Sequence, residues 1–172
     1  MELKKVIQNR YSVRNFSDIT PPKKIIDEII NYANLAPSAG NLQARDFVII
    51  DDNTIKEELS NAAFHQQFIA EAPIIIVVCA NLQRISSYGN RGRELYCIQD
   101  ASAAVEYILL LAVDIGLDAC WVGAFDEKKV SIILHLPSYI RPIAIIPIGY
   151  SKKQKISTSR MNIHILTHLN HW

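Results

Sequence analysis

The chain has 172 residues, 49% of them hydrophobic and 20% charged, a length suited to one domain with one core and a composition that excludes disordered, collagenous and low-complexity architectures. Eighteen basic and seventeen acidic side chains leave a formal net charge of +1, which argues against a general nucleic-acid or membrane-surface binder. Residues 1–24 nevertheless carry six bases and two acids, 25–149 eight and fifteen, and 150–172 four and none, so two basic ends flank an acidic middle.

In chain order, residues 4–9 begin a short helix. Pro21 and Pro22 open a clearer one, with Ile25, Ile26, Ile29, Ile30 and Ala33 at helical spacing, Thr20 as the expected N-cap and an end near Pro37. A loop of small residues, 38–41, precedes a strand at 47–50 that Asp51-Asp52-Asn53 closes. A helix is expected over 54–68. Residues 73–79 have the unbroken apolar character of a strand buried on both faces, and 88–92 read as a loop. From 94 to 115 the apolar residues nearly encircle a helix axis, as in a central buried helix, which Gly116 ends. A strand at 119–122, a helix at 127–134 and a buried strand at 142–148 follow, so helices alternate with strands in one mixed α and β domain, 1–172.

The opening Met1-Glu2-Leu3-Lys4-Lys5 lacks an apolar signal region behind it, and the longest apolar run, 72–80, is about half a membrane span. A cytoplasmic protein is expected. Cys79, Cys97 and Cys120 are odd in number and set among apolar residues, which favours buried inert thiols over disulfides or a CxxC site. Dinucleotide, phosphate-loop, GxSxG and HExxH signatures are missing from the sequence. His164, His168 and His171 sit in a region that alternates like a strand, with no carboxylate or cysteine among them, and read as a solvated tail rather than a metal site.

Four short stretches remain. Arg10-Tyr11-Ser12-Val13-Arg14, if extended, sets two guanidinium groups and a hydroxyl on one face, which suits a phosphate and equally describes a surface strand. Pro37-Ser38-Ala39-Gly40-Asn41-Leu42-Gln43 could bring backbone amides close to a ligand or simply close a helix. Cys120-Trp121-Val122-Gly123-Ala124-Phe125-Asp126 joins a buried strand to a helix, where backbone N–H groups could face developing negative charge or simply make a strand-to-helix turn. Ser157-Thr158-Ser159-Arg160, behind Lys152, Lys153 and Lys155, is a second candidate anion site or a solvated basic linker.

In this order and at these separations, the four stretches resemble the nitroreductase family of FMN-dependent oxidoreductases. The resemblance extends through Glu71-Ala72-Pro73, Gln99-Asp100-Ala101, Cys120-Trp121-Val122-Gly123 and Pro147-Ile148-Gly149-Tyr150. It implies an α+β three-layer sandwich with a mostly antiparallel central sheet flanked by helices, in a homodimer whose C-terminal segments are exchanged and whose FMN sites lie at the interface. Arg10, Ser12 and Arg14 of one subunit would hold the phosphate, ribityl chain and pyrimidine edge, and Pro37, Ser38, Ala39 and Asn41 would come from the other. Gln66 falls near a position that touches the flavin, Gly123 and Ala124 would stand by N5 and O4, and Ser159 and Arg160 would return to the phosphate. The implied activity is a two-step transfer: NADH or NADPH reduces the flavin, which then reduces a small acceptor of nitroaromatic or quinone type. Reductive dehalogenation or consumption of the flavin itself are the alternatives within this fold, and a flavin-binding module without turnover is the alternative from a different class. Two departures stand out. Gln43-Ala44-Arg45-Asp46-Phe47 replaces the Gln-Pro-Trp of many relatives, and the short chain has little room for the inserted helices that cover the substrate pocket in larger members.

Overall fold

Strand β2 (Ile74–Asn81) reads Ile-Ile-Ile-Val-Val-Cys-Ala-Asn, and each of its residues is buried. The pleat sends Ile74, Ile76, Val78 and Ala80 to one face and Ile75, Val77 and Cys79 to the other. Each fully buried Ile or Val contributes about 1.5–3 kcal/mol, so only a position covered on both sides satisfies this run. The computed structural model, which describes residues 1–152 and 158–172, supplies that position. β1 (Arg45–Ile50) and β4 (Ile140–Gly149) flank β2, β3 (Asp118–Ala119) completes the order β1-β2-β4-β3, and every strand pair is antiparallel.

Helices α2 (Lys23–Ala33) and α6 (Cys97–Asp114) cover the first face with Ile26, Ile29, Ala33, Ala101, Val105 and Ile108. Helices α3 (Asn53–Ala62), α4 (Phe68–Glu71) and α7 (Glu127–Ile133) cover the second with Leu59, Ala62, Ile69 and Val130. α1 (Leu3–Asn9) packs against α6. The result is the helix-flanked, antiparallel α+β sandwich expected from the sequence.

Four local expectations are corrected. The helix read over 54–68 is broken, because Phe64 and His65 take φ of 59° and 60°. Asp52 caps α3 by accepting from Ile55 N at 2.9 Å, and the break is held by Ser60 Oγ donating to the Gln66 carbonyl at 3.1 Å. The loop read at 88–92 is helical: after a 3-10 turn (Ser86–Tyr88), α5 (Gly89–Arg91) and a π segment (Gly92–Tyr96) lead directly into α6. Gly92 is there for packing, since a Cβ would lie 2.7 Å from Tyr88 Cβ and 2.8 Å from the Ile85 carbonyl oxygen. The strand read at 119–122 is only two residues of β3 followed by a single bridge between Val122 and Ile145. Pro22, not Thr20, occupies the cap position of α2, and no side chain caps it.

By length and composition Ser86–Asp114 could cross a membrane. Here α6 lies between α2 and the sheet, with half of its most apolar stretch buried in the fold. The tail 158–172 is exposed throughout and forms, in place of an alternating strand, a short 3-10 turn (Ile163–Ile165) capped by Asn162.

Candidate functional site

Residues 10–14 leave the end of α1, where Arg10 N donates to the Val6 carbonyl at 2.9 Å, and run extended beside β3. Ser12 forms a parallel bridge with Ala119, and Val13 N donates to the Ala119 carbonyl at 3.2 Å. Burial of Val13 and Phe16 against Ala72 fixes which side faces in. Alternation then leaves Arg10 half-buried and Ser12 and Arg14 exposed on the outer side. Arg14 stacks over the Phe68 ring at 5.8 Å. The Cys120 thiol lies beneath: burial pushes its pKa up, and Arg14, Ser12 and Arg10 pull against that shift. Among the described residues neither guanidinium has a carboxylate partner, although Arg84, Arg141 and Lys152 each have one. Two such guanidinium groups can accept an oxyanion.

Gln66 reaches this group from the break after α3. Its Nε2 donates to the Ala63 carbonyl at 2.9 Å and to the Ala124 carbonyl at 3.2 Å. Gly123 and Ala124 are exposed, and a Cβ at Gly123 would meet nothing closer than Trp121 Nε1 at 3.9 Å, so open space lies before this backbone.

Pro37, Ser38, Ala39 and Asn41 form a second group, in a loop with an unusual backbone. Gly40, Asn41 and Gln43 have φ of 55°, 56° and 45°, a left-handed region that costs a non-glycine residue about 1–2 kcal/mol. The loop is closed from within: Ser38 Oγ accepts from Gln43 N at 3.0 Å, and Gln43 Nε2 donates to Asn41 Oδ1 at 2.7 Å and to the Asn41 carbonyl. Tyr88 presses on it, its hydroxyl lying 2.5 Å from where a Gly40 Cβ would stand.

Two residues under this loop carry no role in the sequence reading. Arg45 is 3% exposed and Asp100 4%. Arg45 Nη2 donates to the carbonyls of Asn34 (2.6 Å) and Ala36 (2.8 Å), and Nη1 to that of Pro37 (3.3 Å). Asp100 accepts from Ala39 N (2.9 Å) and Ala44 N (3.4 Å). The signal in the sequence is a charge at the start of each of two apolar segments, Arg45 opening β1 beside Asp46 and Asp100 in the first turn of α6, which also carries Glu106 and Asp114.

The structure thus assembles Arg10, Ser12, Arg14, Gln66, Gly123 and Ala124 at the β3 edge and Pro37, Ser38, Ala39 and Asn41 at another place. Among the described residues no hydrogen bond joins the two groups. Ser159 and Arg160 are exposed, and Arg160 Nη1 bonds within two residues of itself, to Thr158 and Ser159. Lys153, Lys155 and Ser157 lie outside the described residues.

A helix-flanked antiparallel sheet, with Arg10 and Arg14 along one edge, defines the class, an α+β protein. The sequence model of the Nitroreductase family matches residues 7–68 and 56–150, and the chain belongs to that family of oxidoreductases. A protein of Archaeoglobus fulgidus, provisionally named NADH dehydrogenase/NAD(P)H nitroreductase, is 34% identical over 158 residues, 90% of this chain and 88% of its own. Among solved structures, a Parabacteroides distasonis protein with the same provisional name superposes with a TM-score of 0.89 at 28% identity, covering 100% of this chain and 99% of its own. The FMN-dependent nitroreductase of Clostridium difficile R20291 gives 0.83 at 28% identity, over 97% and 98%.

Proposed function

We propose that the chain is an FMN-dependent NAD(P)H oxidoreductase that works as a homodimer, with each flavin held between two subunits. The observation that carries the reading is the pair of guanidinium groups, Arg10 and Arg14, without a carboxylate partner among the described residues, flanking Ser12 at the sheet edge. They would hold the phosphate and the pyrimidine edge of FMN, with Ser12 on the ribityl chain. Gln66 orients the Ala124 backbone, so that Gly123 and Ala124 can offer N–H groups to the ring. Pro37, Ser38, Ala39 and Asn41 would complete the pocket from the partner, consistent with the separation of the two groups within one chain.

When bound, FMN supplies the redox chemistry, accepting a hydride from NADH or NADPH and passing electrons to a small acceptor such as a nitroaromatic or quinone. The protein's part is position and charge: Arg14 near the pyrimidine edge favours an anionic reduced ring. The exposed tail supports the dimer. Its Met161, Ile163, Ile165, Leu166, Leu169 and Trp172 are 58% to 102% exposed, an apolar surface that a second copy would cover, bringing Ser159 and Arg160 toward a phosphate site.

The test is anaerobic. The full chain supplied with FMN should be isolated yellow, bleach on addition of NADH or NADPH, and regain its colour with a quinone or nitro compound. A colourless protein that takes up no FMN refutes the reading, and flavin that binds but is reduced by neither nucleotide refutes the turnover.

A further inference from the structure

Arg45 and Asp100 are two opposite charges buried beneath one strained loop, and neither is used by the chemistry proposed above. Burial lowers the pKa of the Arg45 guanidinium; the attraction of Asp100 opposes this and the nearby Arg84 reinforces it. No ion pair joins Arg45 to Asp100 among the described residues, and a charge taken out of water must be compensated by hydrogen bonds. The hydrogen bonds show what these two groups do instead. The guanidinium gathers three consecutive-region carbonyls, those of Asn34, Ala36 and Pro37, while the carboxylate fastens the N–H groups of Ala39 and Ala44. One charge therefore holds the entry of the loop and the other its middle and exit, with the left-handed residues Gly40, Asn41 and Gln43 lying between or beside these anchors. Lysine could not replace the fork, which reaches carbonyls in two directions from one plane. Among the described residues Arg45 Nε has no partner, and the guanidinium is held by the three carbonyls.

We propose that Arg45 and Asp100 are positioning residues: a buried charged strut that holds the 34–44 loop in its strained shape before any ligand arrives, so that Pro37, Ser38, Ala39 and Asn41 meet the flavin ring already ordered. The proposal rests on the FMN reading of the site. Preorganisation of this kind raises affinity by removing the cost of ordering the loop on binding.

The test uses the full-length chain with two variants, Arg45→Lys, which keeps the charge but loses the fork, and Arg45→Met, which loses both. Backbone hydrogen exchange in the flavin-free protein should accelerate at least tenfold at Ala39 and Ala44 in both variants, while the amides of β2 keep wild-type protection, which also shows that the variants are folded. FMN and riboflavin, titrated by fluorescence, should then both bind about tenfold more weakly and by the same factor, since the loop is assigned to the ring and not the phosphate. Unchanged exchange of Ala39 and Ala44 in both variants overturns the strut. A loosened loop with unaltered flavin affinity overturns its link to binding, and a wild-type chain that binds no flavin overturns the reading of the site itself.

Discussion

Replacing Arg10 by Ala removes one of two adjacent guanidinium groups while leaving the backbone beneath it intact. The bond from residue 10 N to the Val6 carbonyl persists, and alanine suits a helix end, so the stability of the fold should change by no more than about 0.5 kcal/mol. Removing one cation also relieves its repulsion with Arg14. The loss falls on the ligand: charge-assisted hydrogen bonds to a phosphate contribute about 1.5–3 kcal/mol, which corresponds to a rise in the FMN dissociation constant of about one to two orders of magnitude. Arg10 is only half-buried, so solvent screening places the effect toward the lower end. FMN fluorescence titrated at fixed ionic strength, beside riboflavin, measures it. FMN should weaken and riboflavin should not. Unchanged FMN affinity, or an equal loss for both flavins, refutes the assignment of Arg10 to the phosphate.

Gly149→Ala should destabilise the fold by about 1–3 kcal/mol, because the new Cβ would stand 2.6 and 2.7 Å from Cγ and Cδ of the rigid Pro73 ring; an unshifted urea midpoint contradicts this. Burial pushes the Cys79 thiol from 9.0 up to about 12, with Asp46 adding to the shift. The folded state therefore keeps its proton after the unfolded state has lost it, and stability should fall above pH 9 by about 1.4 kcal/mol per pH unit for this thiol; a flat stability profile from pH 9 to 11 counts against it. Arg141 donates to both carboxylate oxygens of Glu127 at 2.8 Å and holds that carboxyl below its ordinary value of 4.5. The contribution is present above pH 4.5 and lost below, so Arg141→Gln should flatten the acid limb of the stability curve. Deleting residues 158–172 should convert the proposed dimer to monomer in sedimentation, and a truncated chain of unchanged mass in solution removes the tail from the interface.

The parts of the fold that rest on unbroken or periodic apolar runs were readable: Ile74 to Cys79 as a doubly buried strand, the 142–148 strand, α2, and the long α6. What escaped was backbone geometry without a residue signature. Phe64 and His65 are neither Gly nor Asn, yet both adopt left-handed φ because Ser60 and Gln66 close the turn around them. Gly89 and Gly92 carry the composition of a loop, but only Gly89 uses its freedom in φ; Gly92 admits the Ile85 backbone within a helical stretch. At the site, Arg10, Ser12, Arg14 and the small-residue loop were visible as local clusters. Arg45 and Asp100 were not, since their convergence on one loop exists only once β1 and α6 are packed together.

The division of the candidate site into two groups, with no hydrogen bond between them among the described residues, has a genetic consequence. In the proposed dimer, a chain carrying Arg10→Ala lacks one half of each pocket, and a chain altered at Gly40, where a Cβ would strike the Tyr88 hydroxyl, lacks the other. A mixed dimer of the two concentrates both lesions in one pocket and leaves the second built wholly from unaltered halves. Refolded together and assayed at an FMN concentration between the wild-type and weakened dissociation constants, the two mutants should complement each other, with about one pocket in four restored when the chains assort at random; lesions within the same half should never do so.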